Sequence, residues 1–184
     1  MKAIIIKHRL KGVAVLVFVT ATLLPNLLLN AANIPLHFQR VNDYAAMITA
    51  PVKNDIEAKL KQFEIAESTP IIILTIPSLK GEPIEDFAIR VAEAWMKGQK
   101  KTDNGVLLIV SRDDHKVRIE VGYGLESKMT DTIAGRIIRE EIVPAFKLGQ
   151  FDRGFTKGIA SIMQAIRPSY QKEPLKWIQQ TQKK

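Results

Sequence analysis

Two continuous apolar runs constrain the fold of this chain more than any other feature. The run PIIILTIPS starts at Pro70 and the run GVLLIV starts at Gly105, and both lack the polar alternation of a half-exposed strand. Strands buried on both faces show this pattern, because neither face meets water. The stretch between them predicts an amphipathic helix, whose apolar face is Ile84, Phe87, Ala88, Val91 and Trp95. A strand, a helix and a second buried strand form a βαβ unit, which predicts an α/β fold: a three-layer α/β/α sandwich with a small mixed β-sheet.

The segment that precedes the first apolar run predicts another helix. It spans 49–68, with Thr49 as N-cap and Pro51 in the first turn, and its apolar residues recur at helical spacing. A loop over 34–48 is expected before it. The predicted element order of the chain is therefore helix, strand, helix, strand, strand, helix and helix.

The last two of these helices follow the final strand in the chain. Thr130 is suited to cap the first of them, which covers 128–143 and is ended or bent by Pro144. The last helix is expected to run from Asp152 to Ile166.

The run GVLLIV is predicted to form a β-hairpin with the segment KVRIEV. The second segment alternates apolar and charged residues, which is typical of a half-buried strand near the edge of a sheet. The polar turn SRDDHK joins the two strands. If Ser111 pairs with Lys116, then Gly105 pairs with Gly122, and the segments DNG and GYGLE lie side by side at the open end of the hairpin.

Three acids are expected to meet at this open end. Asp103 precedes the first strand of the hairpin, Glu126 follows the second strand, and Asp131 lies at the start of the next helix. Carboxylates held together repel each other unless a cation lies between them, and hard oxygen ligands favour Ca²⁺ or Mg²⁺. The residues alone leave a second interpretation open, because Asp-Asn-Gly is a common turn sequence and an acid at a helix start interacts favourably with the helix dipole.

Other motifs predict no further chemistry. Asp113 and Asp114 are interpreted as a solvated turn of the hairpin. The segment GYG resembles the start of a dinucleotide-binding motif, but Ser127 stands where the third glycine is required, so no nucleotide cofactor is predicted. His37 and His115 lack the spacing of metal ligands and are expected at the surface.

Residues 1–31 have the layout of a secretory signal peptide. The basic segment MKAIIIKHRLKG precedes the apolar VAVLVFVTATLL, and the small residues of LNAAN follow. Cleavage is expected after Ala31 or Ala32, since Pro25 interrupts the apolar stretch. The alternative is an uncleaved anchor, because Val13 to Ala32 is just long enough to span a bilayer. In both cases the body is expected to be exported, periplasmic or extracytoplasmic, and only an uncleaved leader would contact the membrane.

The net charge of +8 lies mostly outside the body of the chain. The leader carries +4 and the basic tail, 168–184, carries +3, which leaves +1 on residues 32–167. A nearly neutral body with few aromatic residues argues against a nucleic-acid partner. The chain has no cysteine, so disulfides and thiolate metal sites are excluded. The tail is expected to be flexible.

Four segments of the chain strongly resemble the TPM domain family. They keep the family's order over about 40–167, and they are VNDYA, PSLKGEPIEDFAIRVAEAW, DNGVLLIVSRDDHKVRIEVGYGLE and TDTIAGRIIREEIVPAF. The resemblance implies a compact, exported or lumenal α/β domain. It also implies that some members bind a divalent cation through acidic residues, which correspond here to Asp43, Asp103, Glu126 and Asp131. The resemblance thus adds Asp43 to the three acids of the hairpin end.

The resemblance implies two functions of different classes. In the first, the domain binds a divalent cation, Ca²⁺ or Mg²⁺, and acts as an accessory, repair or protein-interaction module for an envelope or membrane protein. In the second, it is a metal-assisted acid phosphatase acting on phosphomonoesters, with Asp103 or Asp43 as base or nucleophile. The binding function is the preferred prediction, since the roles described for family members are diverse. Arg136 and Arg139 are candidates to meet an anion, although their helical positions favour a solvated face.

Overall fold

The computed structural model describes residues 31–96 and 104–167. The chain divides into two units, Met1–Asn30 and Ala31–Lys184, and all described residues belong to the second. The predicted leader before Ala31, Asp103 and the tail 168–184 therefore lie outside the described residues.

Four strands and five α-helices form the described fold. They are β1 Val41–Asp43, α1 Ala50–Glu67, β2 Ile71–Ile76, α2 Ile84–Met96, β3 Val106–Ser111, β4 Lys116–Val121, α3 Asp131–Ile137, α4 Val143–Lys147 and α5 Phe151–Ile166, with a 3₁₀ turn at Tyr123–Leu125 and a π-helical segment at Ile138–Ile142. The sheet order is β1-β2-β3-β4, in which the first three strands are parallel and β4 is antiparallel to β3. No helix in the described part of the chain is both long and apolar enough to cross a bilayer.

The two apolar runs form the centre of the sheet, as predicted. Every residue of β2 and β3 is buried, and successive side chains point to opposite faces of a strand. One face therefore packs on α1, α3 and α5, while the other packs on α2 and the segment before β1. The predicted three-layer α/β/α sandwich with a mixed sheet is confirmed. The two cores divide β2 as Ile71 and Ile73 against Ile72, Leu74 and Ile76.

The predicted hairpin has the expected register. Ser111 pairs with Lys116, and the N–H of Gly122 donates to the carbonyl of Gly105 at 2.9 Å. β4 forms an edge of the sheet, and its central Ile119 is buried while Lys116 at its start is exposed. This agrees with the apolar and polar alternation of its sequence.

The loop predicted over 34–48 was wrong in one part, because it contains the edge strand β1. The strand has only three residues, Val41–Asp43, and pairs in parallel with Ile73–Thr75. Val41 is the only apolar residue of this strand, so its sequence shows no periodic pattern. The strand could be recognised only through its pairing with β2. β1 brings Asp43 to the end of the sheet where β2 and β3 also finish.

Pro144 does not end the predicted helix over 128–143, because helical segments continue past it to Lys147. The helix starts as α3 with Thr130 as N-cap, whose hydroxyl accepts from the N–H of Ile133 at 3.3 Å. It widens into the π-helical segment Ile138–Ile142 and continues as α4, with Pro144 in the first turn. Proline has no N–H to donate, so a local change of hydrogen-bond pattern at this position is expected.

Candidate functional site

Asp43, the last residue of β1, holds the loop that follows it. We call residues 44–49 the anchored loop. The Asp43 carboxylate accepts from the N–H groups of Met47 and Ile48, each at 3.0 Å, and from the hydroxyl of Thr75. Ala46 has a φ of 52°, so the chain turns back within the loop and presents successive N–H groups to one carboxylate. Both carboxylate oxygens are therefore engaged by the chain itself.

Three other side chains hold the same loop. Thr75 is fully buried, lies beside Asp43 in the sheet, and accepts from the N–H of Ala45 at 3.0 Å. Arg112 donates through Nη1 to the carbonyl of Ala45 at 2.8 Å. Asp152, at the start of α5, accepts from the N–H and the hydroxyl of Thr49 at 2.9 and 2.7 Å. Thr49 is the N-cap of α1, as predicted, but its hydroxyl bonds to Asp152 rather than to its own helix.

The hairpin turn at the same end of the sheet is more ordered than its sequence indicated. Asp114 accepts from the N–H of Leu79 at 2.6 Å and from the hydroxyl of Ser111. The Leu79 N–H is the largest cause that holds the pKa of Asp114 below its ordinary value, and the Ser111 hydroxyl acts in the same direction. The solvated-turn prediction was therefore wrong for Asp114, which ties the loop after β2 to the turn. Asp113 is exposed as predicted, and its bond to Arg112 raises the pKa of the guanidinium.

The open end of the hairpin lies at the opposite end of the sheet. Tyr123 in the 3₁₀ turn is 78% exposed. Glu126 follows this turn, Asp131 starts α3, and both acids are exposed. Within residues 31–96 and 104–167, no side chain or backbone group is seen to bond to either carboxylate. Asn104 donates to the carbonyl of Ser68 at 2.6 Å, which fixes the start of the hairpin against the end of α1.

The structure brings Glu126 and Asp131 to one end of the sheet but does not bring Asp43 to them. Asp43 pairs with Thr75, which pairs with Val110, whereas the hairpin opens beyond Val106. Val110, which is level with Asp43, and Val106, where the hairpin opens, are four residues or about 13 Å apart along β3. A Ca²⁺ ion, in contrast, lies within about 2.6 Å of its ligands. One ion therefore cannot hold all four predicted acids.

Among the described residues, no three Asp, Glu, His or Cys side chains are grouped closely enough to hold a metal ion. The oxygen donors of Glu126 and Asp131 suit Ca²⁺ or Mg²⁺ chemically, but two carboxylates supply only part of a coordination shell. Asp103, the third predicted ligand of this end, lies outside the described residues. The fit of a cation here is therefore partial, and cation binding remains a prediction.

The two arginines considered for anion binding have different surroundings. Arg136 lines an open groove of about 350 Å³ together with Lys128, Glu140 and Glu141. Both signs of charge are present there, so the groove has no clear preference for an anion. Arg139 is exposed, and its guanidinium lies over Gly135.

Sequence reasoning missed the side chains that fasten the anchored loop. Thr75 was visible as the one polar residue inside an apolar strand, which is a signal of a buried hydrogen bond. Arg112 and Asp152 gave no such signal, because their loop partners lie 67 and 103 residues away in the chain.

Comparison with solved structures supports the same fold. The N-terminal domain of a protein from P. gingivalis is 30% identical, with a TM-score of 0.64, and the match covers 72% of this chain and 85% of that one. The BA42 protein from the psychrophilic bacterium Bizionia argentinensis is 25% identical, with a TM-score of 0.57 and coverages of 68% and 85%. The N-terminal domain of the cg2496 protein from Corynebacterium glutamicum, at 15% identity and a TM-score of 0.54 with coverages of 76% and 86%, agrees in fold alone.

A comparison with curated protein sequences finds no significant match. The TPM domain family matches residues 41–165, which begin at β1 and end one residue before the end of α5. The matched segment contains all four strands and the helices on both faces of the sheet. This chain belongs to the TPM domain family.

Proposed function

We propose that this chain is an exported accessory domain that binds a divalent cation at the open end of the hairpin and contacts another protein of the cell envelope there. One observation carries the proposal. Glu126 and Asp131 are exposed at the same end of the sheet as Tyr123, and no described residue is seen to bond to their carboxylates. Carboxylates that the chain leaves unsatisfied are available to a ligand from outside.

The chemistry of this end favours a cation shared with a partner. Ca²⁺ takes six to eight oxygen ligands, and the carboxylates of Glu126 and Asp131 have only four oxygens between them. Positions would remain for oxygens of a second protein, so a partner with an acidic loop fits this end. Tyr123 offers an exposed aromatic ring beside these acids, and tyrosine is enriched where proteins meet.

The cation is tested by calorimetric titration of the chain isolated from the cell envelope and treated with a chelator. Micromolar binding of Ca²⁺ or Mg²⁺ is expected, and Glu126→Gln and Asp131→Asn should each weaken it by at least about tenfold because each removes one charged ligand. Asp113→Asn is the matched control, since it removes an exposed acid from the other end of the same hairpin. No binding at millimolar metal would remove the cation from the proposal.

The protein contact is tested by cross-linking in intact envelopes with and without added Ca²⁺. Tyr123→Ser should abolish a cation-dependent cross-linked product, because it removes the exposed ring at the proposed surface. Leu148→Ser is the matched control, since Leu148 is comparably exposed but lies just before α5, whose Asp152 contacts Thr49 at the opposite end of the sheet. Equal loss in both variants would reject this surface as the site of contact.

The second candidate function is a metal-assisted acid phosphatase. Asp43 lies at the carboxyl ends of parallel strands, where open α/β sheets hold their ligands. The geometry favours it less, because both oxygens of Asp43 accept hydrogen bonds from the anchored loop and Thr75. Turnover of an aryl phosphate at background level, with Ca²⁺, Mg²⁺ or Mn²⁺ present, would reject it.

A further inference from the structure

The first residues of the described chain are held by a buried carboxylate. Ala32 is only 3% exposed and belongs to the core between the sheet and α2. Its N–H donates to Oε2 of Glu82 at 2.9 Å, and its carbonyl accepts from Nη2 of Arg90 at 2.8 Å. Chain segments at the boundary of a domain usually lack such contacts. The two hydrogen bonds that hold Ala32 are therefore a specific feature of this domain.

Glu82, the acceptor of this N–H, is a buried carboxylate. Its side chain is only 5% exposed, and both carboxylate oxygens accept from Arg90, at 2.9 and 2.8 Å. Arg90 itself is 39% exposed, so water solvates part of its charge. The carboxylate is the more deeply buried of the two charges, and one of its oxygens points at the nitrogen of residue 32.

The segment after Ala32 continues along α2 and keeps the residue in place. Ile34 packs on the same core, and the carbonyl of Pro35 accepts from Nε1 of Trp95 at 3.2 Å. The ring of His37 stacks on Trp95 with a centroid distance of 4.8 Å. Ala31, in contrast, is exposed. Among the described residues, burial therefore begins at Ala32, directly after the bond that joins it to Ala31.

We propose that this bond is a processing site and that the mature chain begins at Ala32, whose α-ammonium group pairs with Glu82. A leader peptidase of the cell envelope would supply the catalysis and water would be the co-reactant. The C–N bond between Ala31 and Ala32 breaks, the carbonyl carbon of Ala31 takes the water hydroxyl and becomes a carboxylate, and the nitrogen of Ala32 becomes the ammonium. The sequence left cleavage after Ala31 or Ala32 open, and the contacts of Ala32 with Glu82 and Arg90 favour the first.

The new terminus fits the position that the backbone N–H occupies. One ammonium proton would take over the existing bond to Glu82, which becomes charge-assisted and hence stronger. Water would solvate the other two protons from the side that Ala31 occupied, since that residue is exposed. Cleavage one residue later would remove Ala32 from the core and would take from Glu82 a hydrogen bond that it makes in the structure.

The first readout is the terminal residue of the full chain expressed with its leader in a bacterium. Mass spectrometry of the N-terminal peptide of the envelope-isolated protein should show Ala32. A chain that begins at Asn33, or that retains the leader, would overturn the proposal.

The second readout is the pH dependence with which an acylating reagent labels that α-amine. An unpaired terminal amine has a pKa of about 8, and pairing with Glu82 should raise it by at least about one unit, which slows labelling of the folded chain about tenfold at pH 7. Burial without pairing would lower the pKa instead, so the direction of the shift distinguishes the two. The other charge that contacts Ala32 is Arg90, which opposes the rise but is partly solvated. The pairing would be overturned if the pH midpoint of labelling in the folded chain were equal to or below the midpoint in the denatured chain.

Glu82→Gln is the diagnostic variant, because it keeps the shape and removes the charge. The labelling midpoint of the folded chain should then fall by at least about one unit. Glu85→Gln is the matched control, since Glu85 lies three residues further along the chain in the first turn of α2, is exposed, and is not seen to bond to Ala32. If Glu82→Gln fails to fold, the direction of the wild-type shift alone decides between pairing and burial.

Discussion

Acidic residues lie at both ends of the β-sheet, but their surroundings differ. Where the parallel strands finish, Asp43, Asp114 and Asp152 all accept hydrogen bonds from the backbone of nearby loops. Where the hairpin opens, Glu126 and Asp131 are exposed, and no described residue is seen to bond to them. The same residue types thus fasten the fold at one end and remain available to a ligand at the other.

The difference follows from what the strands offer at each end. At the finishing end, the chain leaves β1 in a tight turn, and several N–H groups of the anchored loop need acceptors because they have no strand or helix partner. Asp43 and Asp152 supply these acceptors. At the open end of the hairpin, the backbone is already paired through Gly105 and Gly122 and continues into a 3₁₀ turn. In the described part of the chain, the carboxylates of Glu126 and Asp131 accept no hydrogen bond from this backbone.

The largest expected effect comes from the same substitution at the two ends. Asp43→Asn should lower the free energy of unfolding by about 2 kcal/mol, because an amide places its NH₂ group against N–H donors and leaves a partly buried donor unsatisfied. Asp131→Asn should change it by about 0.5 kcal/mol or less, since it loses only a favourable interaction with the dipole of α3. Urea unfolding followed by circular dichroism measures both values.

Cation titration of the same two variants tests the difference between the two ends of the sheet a second time. Asp131→Asn should lose cation affinity while it keeps its stability, and Asp43→Asn should show the reverse under conditions in which it remains folded. If Asp43→Asn alone abolished cation binding in a fully folded chain, the two ends would have exchanged roles and the proposed site would be wrong.

A smaller effect is expected from the contact between α5 and the anchored loop. Asp152→Ala should lower the free energy of unfolding by about 1 kcal/mol, because it leaves the N–H of Thr49 without its acceptor at the start of α1. Gln164→Ala is the control, since Gln164 is exposed on the same helix. Hydrogen exchange should also quicken at Thr49 in Asp152→Ala and remain unchanged in the control. Unchanged exchange there would mean that Asp152 does not hold the loop.

The sequence predicted the parts of the fold that depend on local pattern. The apolar runs located β2 and β3, the alternation of KVRIEV located β4, and the turn length set the pairing of Ser111 with Lys116. Thr130 was identified as a helix cap from its own neighbours. These features follow from periodicity and capping within about ten residues, which a single sequence displays directly.

The parts that were missed depend on contacts between distant residues. β1 is a strand only because it pairs with β2, which is about 30 positions further along the chain. The grouping of Asp43 with Glu126 was wrong for the same reason, since parallel pairing through α1 decides at which end of the sheet Asp43 lies. Asp114 was misjudged because its acceptor role requires the N–H of Leu79, 35 residues away.

The smallest expected effect is a pH dependence at the hairpin turn. The pKa of Asp114 is lower in the folded chain than in the unfolded one, chiefly because of the N–H of Leu79. On acidification the unfolded chain therefore binds the proton first, so the stabilisation is present above a pH of about 4 and is lost as the pH falls through the folded pKa. The difference in unfolding free energy between wild type and Asp114→Asn should be less than about 1 kcal/mol at pH 6, because water screens the carboxylate, and should shrink towards pH 2.5. Asp113→Asn, which removes an exposed acid beside it, should show almost no difference at either pH. A difference for Asp114→Asn that stayed constant with pH would show that the charge of Asp114 does not hold the loop, and the contrast between the two ends would then rest on Asp43 and Asp152 alone.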